Sequence, residues 1–163
     1  MSVKAIIDGV LEREGGGRVT NDSADHGGRT QYGISERSHA AAWADGKVTE
    51  AEARDIYESK YYKGPGYDQI PDSHAKTREQ LVDFAVNSGP YIATQKLQEA
   101  VGTKVDGKFG KETLAKLLAI DDRSIANLLA VARIRMLGRI VQKNNTQARW
   151  ISGWLNRATE WIH

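Results

Sequence analysis

At 163 residues, with 40% apolar and 27% charged side chains, the chain has the composition of a globular domain with a buried core, not of a disordered segment. It holds no cysteine, which excludes disulfides, thiolate metal sites and cysteine nucleophiles. The net charge of +2 hides an asymmetry: residues 123–163 carry seven basic side chains against Glu160 alone, an excess suited to an anionic partner.

The predicted elements are helices joined by short loops. Val3, Ile6, Ile7, Val10 and Leu11 form one apolar stripe of an amphipathic helix, and Glu14 is the next position on that stripe. Asp8 and Glu12 interrupt the apolar residues, so no signal peptide is expected, and no run is long enough to span a bilayer. Gly15, Gly16 and Gly17 end the helix. Residues 17–34 are too rich in Gly and Asp to be helical, and Arg18-Val19-Thr20 is expected to pair with Thr30-Gln31-Tyr32 as a hairpin. Ser35 is expected to cap a helix reaching about Trp43. Thr49 and Glu52 form a capping box for a helix with Ala53, Ile56, Tyr57 and Tyr61 on one face, stopped by Gly64-Pro65-Gly66.

A helix over about 77–87 carries Leu81, Val82, Phe84 and Ala85 on more than one side and is expected to be the most buried. Further helices are predicted over about 92–101, 111–119 (Leu114, Leu117 and Leu118 inward) and 124–143 (Ile125, Leu128, Leu129, Ala132, Met136, Ile140, Val141). The last helix sets Trp150, Trp154, Leu155, Ala158, Trp161 and Ile162 on one face, a stripe expected in the core. The fold class read from this pattern is mainly α, with a short β-hairpin near residues 18–32, as a single domain across residues 1–163.

Chemistry concentrates around Glu14. Burial disfavours a carboxylate, and the negative end of a helix repels one, so both effects favour the protonated acid that a general acid near neutral pH requires. The glycines beside it would let a bulky ligand approach the backbone. A frayed helix end with a solvated Glu is the competing reading. Asp25 lies in the polar loop that follows, and Thr30 and Tyr32 close it. Glycoside hydrolysis needs a proton donor and a second group across the sugar ring, and Glu14 with Asp25 fits those tasks. Thr30 is suited to holding a water and Tyr32 to contacting a sugar.

Other motifs are weaker. Residues 21–25 lack the Gly and the bidentate Glu of a calcium loop, and no Gly-Lys-Ser/Thr follows the glycine triplet as a phosphate loop would need. Asp106-Gly107 reads first as a turn. Asp83, beside Phe84 and Val86, is costly to bury unless paired, so a cleft position and a structural ion pair both stay open.

The segment EGGGRVTNDSADHGGRTQYGIS, Glu14 to Ser35, closely resembles the opening motif of glycoside hydrolase family 108, the N-acetylmuramidase endolysins of phages and prophages. LVDFAVNSGP (Leu81 to Pro90) resembles the family's central helix, LQEAVGTKVDGKFGKETL (Leu97 to Leu114) its predicted peptidoglycan-binding half, and WISGWLNR (Trp150 to Arg157) its closing signature. The resemblance implies a lysozyme-like fold with a catalytic half over 1–90 and a peptidoglycan-binding half over 91–163. It places the family's catalytic Glu on Glu14, with Asp25 and Thr30 where the wider lysozyme-like group keeps a second acid and a water-holding Thr. Ten residues separate Glu14 from Asp25 and four separate Asp25 from Thr30, a spacing unlike that of phage lysozymes with a Glu/Asp/Thr triad, so the role of Asp25 stays open. Ser23 and His26 stand where relatives often have a Pro.

Tyr32, Asp83 and Asn87 are the substrate-binding residues that the resemblance suggests, with no metal and no organic cofactor. The implied activity is cleavage of peptidoglycan at N-acetylmuramic acid, giving host lysis; a non-catalytic wall-binding protein on the same scaffold is the alternative. The protein is expected as a monomer made in the host cytoplasm, reaching the periplasmic wall through a phage holin. Arg133, Arg135, Arg139 and Lys143 are expected to face an anionic outer membrane. No nucleic-acid partner is expected, because no helix-turn-helix, zinc-finger or RNA-binding signature occurs.

Overall fold

The first apolar stripe becomes helix α1, Val3–Arg13, in a computed structural model that describes residues 1–21 and 28–162. Ser2 caps it by accepting from the Ala5 amide at 3.2 Å, and Ile6, Ile7, Val10 and Leu11 are buried. The chain divides into two compact units, Met1–Gly64 and Pro65–His163.

In the first unit the strands are β1 (Thr30–Gln31) and β2 (Ile34–Ser35), antiparallel, with Thr30 opposite Ser35 and Gln31 opposite Ile34. The expected partner of β1, Arg18-Val19-Thr20, contributes a single bridge, Thr20 to Thr30, with both amide–carbonyl bonds at 2.8 Å. The hairpin therefore closes later in the chain than the alternation implied. Tyr32 and Gly33, at φ +52° and +74°, supply the positive-φ pair of a two-residue hairpin loop. Ser35 lies in β2 and caps no α-helix; only a 3₁₀ turn, Ala40–Trp43, follows it. The capping box is present as read, with the Glu52 amide donating to Thr49 Oγ1 at 3.2 Å, and it starts α2, Glu50–Tyr57. A π-helical segment, Glu58–Lys63, continues α2, and the Gly64 amide donates to the Ser59 carbonyl five residues back. Arg54 of α2 pairs with Asp8 of α1 at 2.6 Å.

In the second unit α3 is Ala75–Ser88, α4 Pro90–Val101, α5 Lys111–Leu118, α6 Asp122–Lys143 and α7 Ile151–Thr159. Helices α3, α4 and α6 pack on one another, α5 lies on α4, and α7 lies on α6. Every residue of α3 from Gln80 to Ala85 is buried, as its two-sided apolar pattern predicts. Elsewhere the pattern overreaches. Leu118 of α5 is exposed, and so are Leu128 and Ile140 of α6, because Ile125, Leu129, Arg133 and Leu137 at four-residue steps take the inner face. The tryptophan stripe is split: Ala158 and Trp161 are buried, whereas Trp150 and Ile162 are exposed. No helix among the described residues is long and apolar enough to cross a membrane.

Candidate active site around Glu14

Glu14 is the C-cap of α1, so its position follows from how that helix stops. The Gly15 amide donates to the Glu12 carbonyl at 3.2 Å and the Gly16 amide to the Leu11 carbonyl at 3.1 Å. With Gly15 at φ +82°, this is the paired bonding of a Schellman cap, which satisfies carbonyls that a helix end leaves open. The glycines therefore act first as a stop, fixing the place where the carboxylate leaves the helix.

The hairpin loop then folds onto the triplet. Tyr32 donates its amide to the Gly16 carbonyl at 3.1 Å, and Gln31 Nε2 donates to the Gly17 carbonyl at 2.9 Å. The other end of the Gln31 amide, Oε1, accepts from the Val48 amide at 2.9 Å, so one side chain ties three segments together. The Tyr32 ring lies so close over Gly17 that a Cβ there would sit 2.6 Å from its hydroxyl. Tyr57 of α2 donates its hydroxyl to the Tyr32 carbonyl at 2.7 Å. A Cβ on Gly33 would be 2.5 Å from the Tyr57 oxygen and 2.9 Å from Glu14 Oε2. The Glu14 carboxylate and the Tyr57 hydroxyl thus converge on the backbone of the hairpin loop.

The base of the hairpin is fixed by Arg29, whose Nε and Nη2 donate to Glu36 at 3.0 and 2.8 Å while Nη1 donates to the Gly46 carbonyl at 3.1 Å. The same guanidinium lies 4.8 Å from the Trp43 ring centre, and Trp43 Nε1 donates to the Ile34 carbonyl. Arg29 beside it holds the Glu36 carboxyl below the usual carboxylate range.

Of the residues picked from sequence, Glu14, Thr30 and Tyr32 all lie in this unit, each half-buried; Tyr32 docks through its amide on the glycine stop beside Glu14, whereas Thr30 sits in β1, bonded through its backbone to Thr20. Asp25, with Ser23 and His26, lies outside the described residues. Asp83 and Asn87 belong to the second unit. Asp83 is fully buried; it accepts from Arg133 at 2.7 Å on one oxygen and from Arg157 on the other, at 3.0 Å from Nε and 2.9 Å from Nη2. Asn87 accepts from Arg133 Nη2 at 3.3 Å. Of the two readings open for Asp83, this geometry supports the ion pair. Burial pulls the Arg133 guanidinium below its ordinary value, and Asp83 pulls it back. Arg133 therefore cannot face a membrane as its place in the basic run suggested: it is 1% exposed. Sequence reasoning missed Tyr57, Gln31 and the use of Gly33. Tyr57 looked like one more apolar position on α2, and nothing local signals a partner 25 residues away.

The turn Asp106-Gly107 is built as read. Gln98 Oε1 accepts from both amides, at 3.0 and 2.8 Å, and Gln98 Nε2 donates to Asp106 at 2.9 Å. Among the described residues no group of three or more acidic or histidine side chains is placed to hold a metal ion.

Residues 7–89 match the family model described as glycosyl hydrolase 108, and residues 92–159 match one described as a predicted peptidoglycan domain. Among solved structures the chain is similar to SagA of Brucella abortus, at 30% identity and a TM-score of 0.77, covering 98% of this chain and 90% of that one. No curated protein sequence matches it.

Proposed function

We infer that this chain, which belongs to the glycosyl hydrolase 108 family, is an N-acetylmuramidase that uses Glu14 as its general acid. The observation that carries the reading is the carboxylate at the capped end of α1, held against a hairpin loop whose backbone Tyr57 and Gln31 fix. A donor must meet the glycosidic oxygen at hydrogen-bonding distance, and positioning of this kind meets that demand. The match of residues 92–159 to a peptidoglycan domain supports peptidoglycan as the polymer bound.

In this reading Glu14 gives its proton to the leaving oxygen, and the half-buried Tyr32 contacts a sugar. Thr30, whose hydroxyl has no hydrogen-bond partner among the described residues, holds the water. Asp25 takes the second acidic role. The endolysin role, with release by a holin, is the biological setting that this activity fits.

The test is digestion of purified sacculi followed by mass spectrometry. Reducing-end N-acetylmuramic acid is expected; reducing-end N-acetylglucosamine, or cut stem peptides, would overturn the assignment. Glu14→Gln is expected to lower turnover by about 10²–10⁴-fold with an unchanged melting point. A Gln variant as active as the wild type would remove Glu14 from the chemistry, and wall binding without new reducing ends would favour the non-catalytic alternative.

A further inference from the structure

We propose that the outer face of α6 forms a binding groove for an acidic peptide, clamped by Arg135 and Arg139; the proposal rests on the reading of peptidoglycan as substrate and names its stem peptide as the occupant. The groove, about 200 Å³, lies between α4 and α6 within the second unit. Ala100, Leu128, Val131 and Ala132 give it an apolar floor, and Glu99, Arg135 and Arg139 stand at its edges. Leu128 and Val131 are 44% and 39% exposed. Leu128, Ala132, Arg135 and Arg139 fall on one stripe of the helix, so the apolar floor runs directly into the cations.

The charges are not neutralised where they stand. Glu99 is paired with Lys96. Arg135 and Arg139 make no hydrogen bond or ion pair among the described residues. This contrasts with Arg133 on the same helix, which is paired with Asp83. Two arginines four residues apart on a helix have Cβ atoms about 5–6 Å apart, so both guanidiniums can reach one short ligand. Each can donate two parallel hydrogen bonds to one carboxylate.

The shape and lining choose among anionic partners. A lipid surface is met by a flat or convex apolar face, whereas these apolar side chains line a concave groove shared with both guanidiniums. A sugar ring is met by aromatic side chains, and none lines the groove. A short peptide that alternates methyl groups with free carboxylates complements both the floor and the clamps. The stem peptide of peptidoglycan, built from alanine, γ-linked glutamate and a diamino acid, has that chemistry.

Calorimetric titration of the free tetrapeptide alanyl-γ-glutamyl-diaminopimelyl-alanine into the full chain tests this. Saturable binding is expected, weakened about tenfold or more in an R135Q/R139Q variant, since removing one charge-assisted hydrogen bond costs about a factor of ten in affinity. V131E keeps both guanidiniums but puts a carboxylate into the floor, and is expected to weaken binding similarly with an unchanged melting point. Glycan strands stripped of peptide should be cut by wild type and R135Q/R139Q at equal rates. Absent binding, or equal binding by wild type and R135Q/R139Q, would overturn the proposal. So would R135Q/R139Q losing affinity for anionic phospholipid vesicles while keeping the peptide, which would mark a membrane face. The titration needs no turnover, so failure of the wild type to cut stripped glycan would count against the muramidase reading alone.

Discussion

Gly33 shows how much of the site rests on an atom that is missing. Its φ of +74° disfavours any side chain, and a Cβ would strike both the Tyr57 hydroxyl and the Glu14 carboxylate. Gly33→Ala is therefore expected to cost about 1–2 kcal/mol and to lower kcat by displacing the acid; wild-type turnover in this variant would mean that the glycine does not position Glu14. Tyr57→Phe removes one hydrogen bond to the Tyr32 carbonyl, at an expected cost of about 0.5–1.5 kcal/mol. Acting through the loop, it should reduce kcat more than it raises KM, which a merely structural role would not do. Asp83 is the contrasting case. Asp83→Asn leaves Arg133 and Arg157 facing a neutral amide in the core, expected to cost about 3–5 kcal/mol and roughly 10 °C of melting temperature. A raised KM with an unmoved melting point would return Asp83 to the substrate.

Helices in this chain are stopped and started by specific groups, and those differ in how visible they are from sequence. The Thr49–Glu52 capping box and the glycine stop of α1 are local, so spacing reveals them. The start of α3 is not local. Asp122, the first residue of α6, accepts from the Lys76 and Thr77 amides at 3.0 and 2.9 Å and from Thr77 Oγ1 at 2.7 Å, serving as an N-cap from 45 residues away. Asp122→Ala is expected to cost about 1–2 kcal/mol and to speed amide exchange in the first turn of α3. Asp122→Asn, which keeps one acceptor oxygen, should lose less; equal exchange in both variants and wild type would rule the cap out. The same division runs through the rest of the fold. Helix periodicity gave α1, α3 and α6 their places, yet it could not choose between two apolar stripes on α6, because that depends on which face meets α3 and α4. Glu14 stood out for breaking its stripe. Tyr57, Gln31 and the pairing of β1 with β2 depended on a loop conformation that residue types leave undetermined.

In both units several surface carboxylates are held ionised by local partners, which sets the response to acid. Lys4 and then Arg54 hold Asp8 below its ordinary value, and Arg29 does the same to Glu36. Hydrogen bonds from Gln98 to Asp106 and from Ser124 to Asp121 act likewise in the second unit. A carboxyl whose folded-state value is depressed stabilises the fold above its unfolded value, and that contribution is lost as the pH falls through the folded value. His39 is shifted in the same sense, by burial first and then by Lys60, whose ammonium donates to His39 Nε2 at 3.3 Å. Only the neutral ring can accept that bond, so the fold prefers it unprotonated. The contribution of His39 is present above the ordinary histidine value and fades as the pH drops below it, before the carboxyls respond. The melting temperature is therefore expected to fall in two stages from pH 7 to pH 3, a shallow one below the ordinary histidine value and a steeper one below the ordinary carboxyl values of about 4. His39→Gln should remove the first stage and Glu36→Gln should shrink the second. Thermal melts across that range decide the matter: a melting point that rises on acidification would show that these charges repel more than they pair.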